Sequence, residues 1–143
     1  MLPQQKVLIQ KTWAQVVPIA DQAAAIFYQR LFDIDPSARA LFNAVDMRQQ
    51  RKKLVQVLNV AVSSLDNLGA LMKTVEDLGR RHAGYGVQDA HYDSVGIALI
   101  WTLEQGLGSA FTPAAAAAWK ELYGLLSVTM RRAQHEATAK AAA

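Results

Sequence analysis

The chain is broken at intervals that suit helices and nothing else. Pro3 opens a first segment and Pro18 marks its end. Asp35-Pro36, Asp66-Asn67, the pair Gly84 and Gly86, Gly108 and Thr112-Pro113 divide the rest. Asp, Asn and Thr cap helices, Pro suits the first helical position, and Gly stops a helix. No stretch between these breaks alternates cleanly over the length of a strand. The breaks predict a loosely periodic first helix up to Pro18 and a second over Gln22–Ile34, capped by Asp21. A short helix from Pro36 ends near Leu41-Phe42, and Asn43–Asp46 form a loop. A long helix follows over Met47–Leu65, then one over Leu68–Ala83 capped by Asn67. Asp89 is expected to cap Ala90–Leu107, and the last helix runs from Pro113 to about Glu136. The expected fold is all-α, with about seven helices in one domain over residues 1–136. The alanine-rich tail, 137–143, is expected to fray.

Composition narrows the function. With 143 residues, 52% of them hydrophobic, the chain can bury the core of one ordinary domain. It has no cysteine. That excludes a disulfide scaffold, a thiolate-held metal or cluster and a thiol nucleophile. A net charge of +3 is too weak to point to nucleic acid. No apolar run has the length of a membrane span, and Met1–Lys11 lacks a signal-peptide pattern. The expected setting is cytoplasmic, away from membranes.

Polar residues on apolar stripes carry the chemistry. Met47, Leu54, Val57, Ala61 and Leu65 share a helix face, and Gln50 falls on it between Met47 and Leu54. Leu71, Val75 and Leu78 form a stripe that His82 continues at four-residue spacing. Ala24 and Leu31 flank Tyr28. Three helices thus each direct a hydrogen-bonding group toward the core, where an unpartnered one costs about 1–3 kcal/mol. A bound ligand is one source of partners. Each group also has a plainer reading. With Arg80 and Arg81, His82 suits a helix C-terminus. Tyr28 suits a core phenol bonded to a carbonyl, and Gln50 a surface amide. Arg51, Lys52 and Lys53 suit a solvated flank, and His91 and His135 read as surface histidines.

The ordered set FYQRLFDIDPSARALF (Phe27–Phe42), QRKKL (Gln50–Leu54), LGRRHAGYGV (Leu78–Val87), HY (His91-Tyr92) and AAWKELYG (Ala117–Gly124) resembles a bacterial single-domain globin, similar to the haem domain of flavohaemoglobins. The resemblance runs from Val7 to about Met130. It implies a globin fold, a 3-over-3 helical sandwich around haem b. It implies His82 as the proximal iron ligand, Phe42 on the porphyrin face, and Gln50 and Leu54 as the distal-helix pair. Tyr28 would point at the sixth coordination site, and Lys53 would reach a propionate. Leu78, Arg81, Tyr85, Val87, Tyr92 and Val95 complete the implied haem-contacting set. Relatives polarise the proximal imidazole through a tyrosine and a glutamate. Tyr92 matches the first, while Gln134 and Glu136 both remain candidates for the second position.

From this follow the expected ligands: dioxygen, nitric oxide, carbon monoxide or other small haem ligands. Tyr28 and Gln50 would donate hydrogen bonds to bound dioxygen, giving reversible binding of the kind used in oxygen transport. Nitric oxide dioxygenation, supported by a separate NAD(P)H-dependent reductase, is the alternative, with weak peroxidase chemistry beside it. A gas-sensing module and a haem-free helical bundle are further readings. The expected assembly is a monomer or weak homodimer.

Overall fold

The computed structural model describes residues 1–142. Among them every regular element is helical: α1 (Pro3–Val16), α2 (Ala20–Ile34), α3 (Pro36–Arg39), α4 (Met47–Ser63), α5 (Leu68–Ala83), α6 (Asp89–Leu107) and α7 (Pro113–Ala142). Tight 3-10 turns fill Val17–Ile19, Ala40–Phe42 and Gly108–Ala110. None of the described helices is long and apolar enough to cross a membrane.

The helix starts follow local chemistry, with three departures from the sequence reading. Asp46 caps α4 by accepting the Arg48 N–H at 3.0 Å, and Asn67 caps α5 by accepting the Ala70 N–H at 3.4 Å. Pro18, however, sits inside a 3-10 turn, so α1 passes to α2 without an open loop. Asp21 consequently lies within the first turn of α2, where a carboxylate suits the helix dipole, and it pairs with Arg51 at 3.1 Å. Asp89 is the first residue of α6, and Gln88 takes the cap position. At the far end α7 continues beyond Glu136 to Ala142. Alanine has the highest helix propensity, which suits a helix that runs on through this stretch. Residue 143 lies outside the described residues.

The helices stack in two layers of three, α1, α4 and α5 over α2, α6 and α7, with α3 at the corner. The resemblance implies this arrangement. The largest contacts join α5 to α7 and α2 to α6. One core junction lies where α1 meets α7. Trp13 and Trp119 pack with ring centroids 6.1 Å apart, and each indole N–H is satisfied. Trp119 donates to Thr12 Oγ1 at 2.8 Å, and Trp13 donates to Asn59 Oδ1 on α4 at 2.7 Å. The α5–α7 crossing is set by Gly79. A Cβ there would lie 2.4 Å from the Met130 carbonyl oxygen, so a side chain would push the backbones apart.

Candidate functional site

α2 and α4 meet at a phenol and an amide. Tyr28 is buried on α2, and Gln50 is half-buried in the first turns of α4. The Gln50 amide nitrogen donates to the Tyr28 oxygen at 3.1 Å. Among the described residues nothing accepts the phenol's own hydrogen. Burial raises the Tyr28 pKa, and the Gln50 hydrogen bond offsets that only partly, so the hydroxyl stays protonated. Phe27 and Phe42 meet the Tyr28 ring edge-on, at 4.9 and 5.4 Å between centroids. The ring is thus locked by aromatic contacts on two sides, with an unspent donor at its tip.

The end of α5 presents an imidazole. The Nδ1–H of His82 donates to the Leu78 carbonyl one turn earlier, at 2.6 Å. That bond fixes the tautomer and leaves the Nε2 lone pair with no protein partner among the described residues. Burial lowers the His82 pKa; the Leu78 carbonyl opposes this and Arg81 adds to it, so the ring is neutral near pH 7. The Tyr92 ring lies 6.1 Å from the imidazole, at 28° to it. The ring of Tyr85, largely exposed, lies 5.8 Å from the imidazole.

Behind this ring the structure chooses between the two candidate partners. The Tyr92 hydroxyl donates to Gln134 Oε1 at 2.5 Å, and the Gln134 amide nitrogen donates to the Val87 carbonyl. Glu136 is exposed further along α7. Tyr92 therefore has a neutral partner, and neither it nor Gln134 bonds to the imidazole. Burial pushes the Tyr92 pKa up to about 12, which keeps it a donor. Tyr123 donates to the Tyr92 carbonyl at 2.6 Å, tying this wall to α7.

A cleft open to solvent separates α4 from α5 and reaches α7. Val57, Val60 and Ala61 form its α4 wall, Leu78 and Arg81 part of its α5 wall, and Leu126 and Met130 its floor. Of the predicted site residues, Leu78 and Arg81 line it. Leu54 faces instead a much smaller apolar cavity shared with Trp13, Phe27 and Leu103. Phe42, Val87 and Val95 are half-buried, and Lys53 is exposed. The predicted residues thus gather in two clusters, Tyr28–Phe42–Gln50 and His82–Tyr85–Tyr92. Among the described residues no cluster of His, Asp or Glu is arranged to chelate a metal ion.

His91 corrects the sequence reading. It is buried, not superficial. Its Nδ1 accepts the Gln88 N–H at 2.9 Å, closing the start of α6. Its Nε2, at 3.1 Å, donates to Ser37 Oγ, which donates to Asp35 at 2.5 Å. Ser94 donates to the other Asp35 oxygen at 2.8 Å. The two serine hydrogen bonds hold the Asp35 pKa below its usual value. The missed signal was available: His91 precedes Val95 by four residues and heads the stripe through Ala98 and Thr102. His135 is exposed as expected and pairs with Asp89 at 2.9 Å.

Known proteins resemble this chain in sequence and in fold. The globin family profile matches residues 25–130. The chain belongs to the globin family. This globin is 31% identical to a flavohemoprotein of Bacillus subtilis over 103 residues, which cover 71% of this chain and 26% of that protein. The match therefore spans about a quarter of the relative's length. A neuroglobin of Tetraodon nigroviridis is 29% identical over 140 residues, covering 89% of this chain and 88% of its own. Among solved structures, a hexacoordinated heme protein from an anhydrobiotic tardigrade superposes with a TM-score of 0.85 over 94% of this globin and 96% of that chain. At 18% identity that likeness concerns the fold.

Proposed function

We propose that this globin binds haem b through His82 and takes a diatomic gas, dioxygen first, on the side facing Tyr28 and Gln50. The observation that carries the reading is the state of the His82 ring. Its Nδ1–H is spent on the Leu78 carbonyl and its Nε2 lone pair has no protein partner. A neutral imidazole held in that way is a ready iron ligand. The remaining donor set fits the group as well. The neighbouring α4–α5 cleft is walled mostly by apolar side chains, and Lys53 and Arg81 are exposed cations suited to porphyrin carboxylates. Family membership and the named haem-protein relatives support the same reading.

Bound there, a ferrous haem would supply one open coordination position for a small ligand. Tyr28 holds its hydroxyl hydrogen unspent, while Gln50 orients the phenol and offers a second amide hydrogen. Both donors favour a ligand that gathers negative charge, as dioxygen does, over one that stays apolar. Neither titrates between about pH 5 and 8, so the hydrogen bonding holds across that range.

The flavohemoprotein likeness supports a second reading, nitric oxide oxidation with electrons from a separate reductase. The proximal wall favours reversible binding. The imidazole faces a neutral carbonyl, and Gln134 stands between Tyr92 and Val87, so no carboxylate sharpens its electron donation. The test is haem titration into the purified chain. A Soret band at one equivalent that is lost in His82→Ala supports the proposal, and no band in the parent chain sinks it. Sustained nitric oxide consumption with a reductase and NADH would move the balance to the second reading.

A further inference from the structure

The outward face of α7 is symmetric about its own middle. Ala114, Glu121, Leu125, Val128, Arg132 and Ala139 recur at spacings of seven, four, three, four and seven residues, and all six are exposed. At about 100° per residue they fall within one arc of about 60°. The opposite side of the helix is the one that meets the core, through Ala115, Trp119, Leu122, Leu126 and Ala133. Leu125 and Val128 form the centre of the stripe, 38% and 56% exposed. An acid lies one turn before them and a base one turn after. Gln5 on α1 donates to one Glu121 oxygen and so orients the carboxylate. Arg132 has no ion-pair partner among the described residues.

A spacing that reads the same in both directions fits a second α7 turned end for end. Leu125 then faces the partner's Val128, and Val128 faces the partner's Leu125. Glu121 faces the partner's Arg132, and Arg132 faces the partner's Glu121, so two opposite-charge pairs flank an apolar centre. Ala114 and Ala139 meet in the same way, and with a methyl each they let the helices run close together. Laid in the same direction, the two helices would set Glu121 on Glu121 and Arg132 on Arg132, and like charges oppose that pairing. A two-fold axis between Leu126 and Ser127 thus makes one patch complementary to itself. An unrelated partner would not require this mirrored order of acid and base.

We propose that the outward face of α7 is the contact between two copies of this globin, packed antiparallel about the Leu125–Val128 centre. The contact stands apart from the haem reading, since none of its residues belongs to the Tyr28 or the His82 cluster. With two apolar side chains per copy at its centre, it lies at the small end of protein interfaces, so pairs exchange with single chains. The exposed charge pairs add little strength; they set the direction in which the helices pair.

The experiment is sedimentation equilibrium on the purified full chain, over a concentration series reaching about 1 mM. The parent is expected to pass from one copy to two as concentration rises. Glu121→Arg sets arginine against arginine at both ends of the contact, and Arg132→Glu sets acid against acid. Each is expected to raise the dimer dissociation constant about tenfold or more at low salt. Glu121→Arg with Arg132→Glu in one chain restores both pairs and returns the constant to within about threefold of the parent. An equimolar mixture of the two single variants regains pairing as well, because each then meets its opposite. Lys120→Glu, exposed on the same helix but off the stripe, stays within about threefold of the parent. Recovery in the double variant and in the mixture separates a lost contact from lost folding. A parent that stays single at every concentration overturns the proposal. Unchanged single variants, a double variant that does not recover, or a mixture that does not pair overturn it too. No arm depends on haem uptake, so failure of the haem reading leaves the result standing.

Discussion

The same two side-chain types, a tyrosine and a glutamine, meet at two places in this globin and are used in opposite ways. At Tyr28 and Gln50 the amide donates to the phenol, and the phenol's hydrogen is left over. At Tyr92 and Gln134 the phenol donates to the amide oxygen, and the amide passes its own hydrogen on to the Val87 carbonyl. The first pair keeps a donor in reserve. The second spends its donors on the protein and stitches the start of α6 to α7. Identical chemistry therefore leaves a free donor in one case and makes a brace in the other. The direction of one hydrogen bond decides which.

The most severe break is expected where α5 packs on α7, at Gly79. Gly79→Leu drives side-chain atoms into the Met130 backbone and is expected to cost about 3 kcal/mol, read from the urea midpoint. Tyr28→Phe tests the reserved donor. If dioxygen binds there, losing the phenol hydrogen should raise its dissociation rate about ten- to a hundredfold, measured by ligand displacement, with stability nearly unchanged. Tyr92→Phe should give the reverse profile. Leaving Gln134 Oε1 buried without its donor is expected to cost about 1–2 kcal/mol in chemical denaturation, with a small change in dissociation rate. If Tyr28→Phe and Tyr92→Phe instead behave alike, the distinction between site and brace is wrong.

The smallest effect concerns pH. Burial lowers the proton affinity of His82 in the folded chain, whereas an unfolded histidine titrates near about 6.5. Below that value the unfolded chain takes up a proton that the folded chain resists. Stability of the haem-free protein should be full above about pH 6.5 and decline as pH falls toward the lowered folded value. His82→Gln should flatten that slope in denaturation curves collected at several pH values.

The features legible in the sequence were those with a local cause. Asn67 and Pro113 mark helix starts through their own backbone chemistry, and the Leu71, Val75, Leu78, His82 spacing places an imidazole on a buried stripe. Features set by distant partners were not legible. Whether Gln134 or Glu136 meets Tyr92 depends on how α7 rotates against α6, which no local pattern fixes. Gln134 does follow Met130 by four residues, and that continuation of the Leu122, Leu126, Met130 stripe was the available hint. His91 was misread for a related reason: Ser37, its partner, is 54 residues away in the chain. The length of α7 past Glu136 follows from the helix propensity of alanine, which low complexity does not cancel.

The hydrogen-bonded series Gln88, His91, Ser37, Asp35 has a consequence for how this corner can change. Every proton in it points the same way, from the α6 amide through the ring and the hydroxyl to the carboxylate. Replacing any one member by a group of the opposite polarity would force two donors or two acceptors together at its neighbour. Substitutions at Ser37 and His91 should therefore be tolerated in matched pairs and penalised singly, so that two segments far apart in the chain are bound to vary as one.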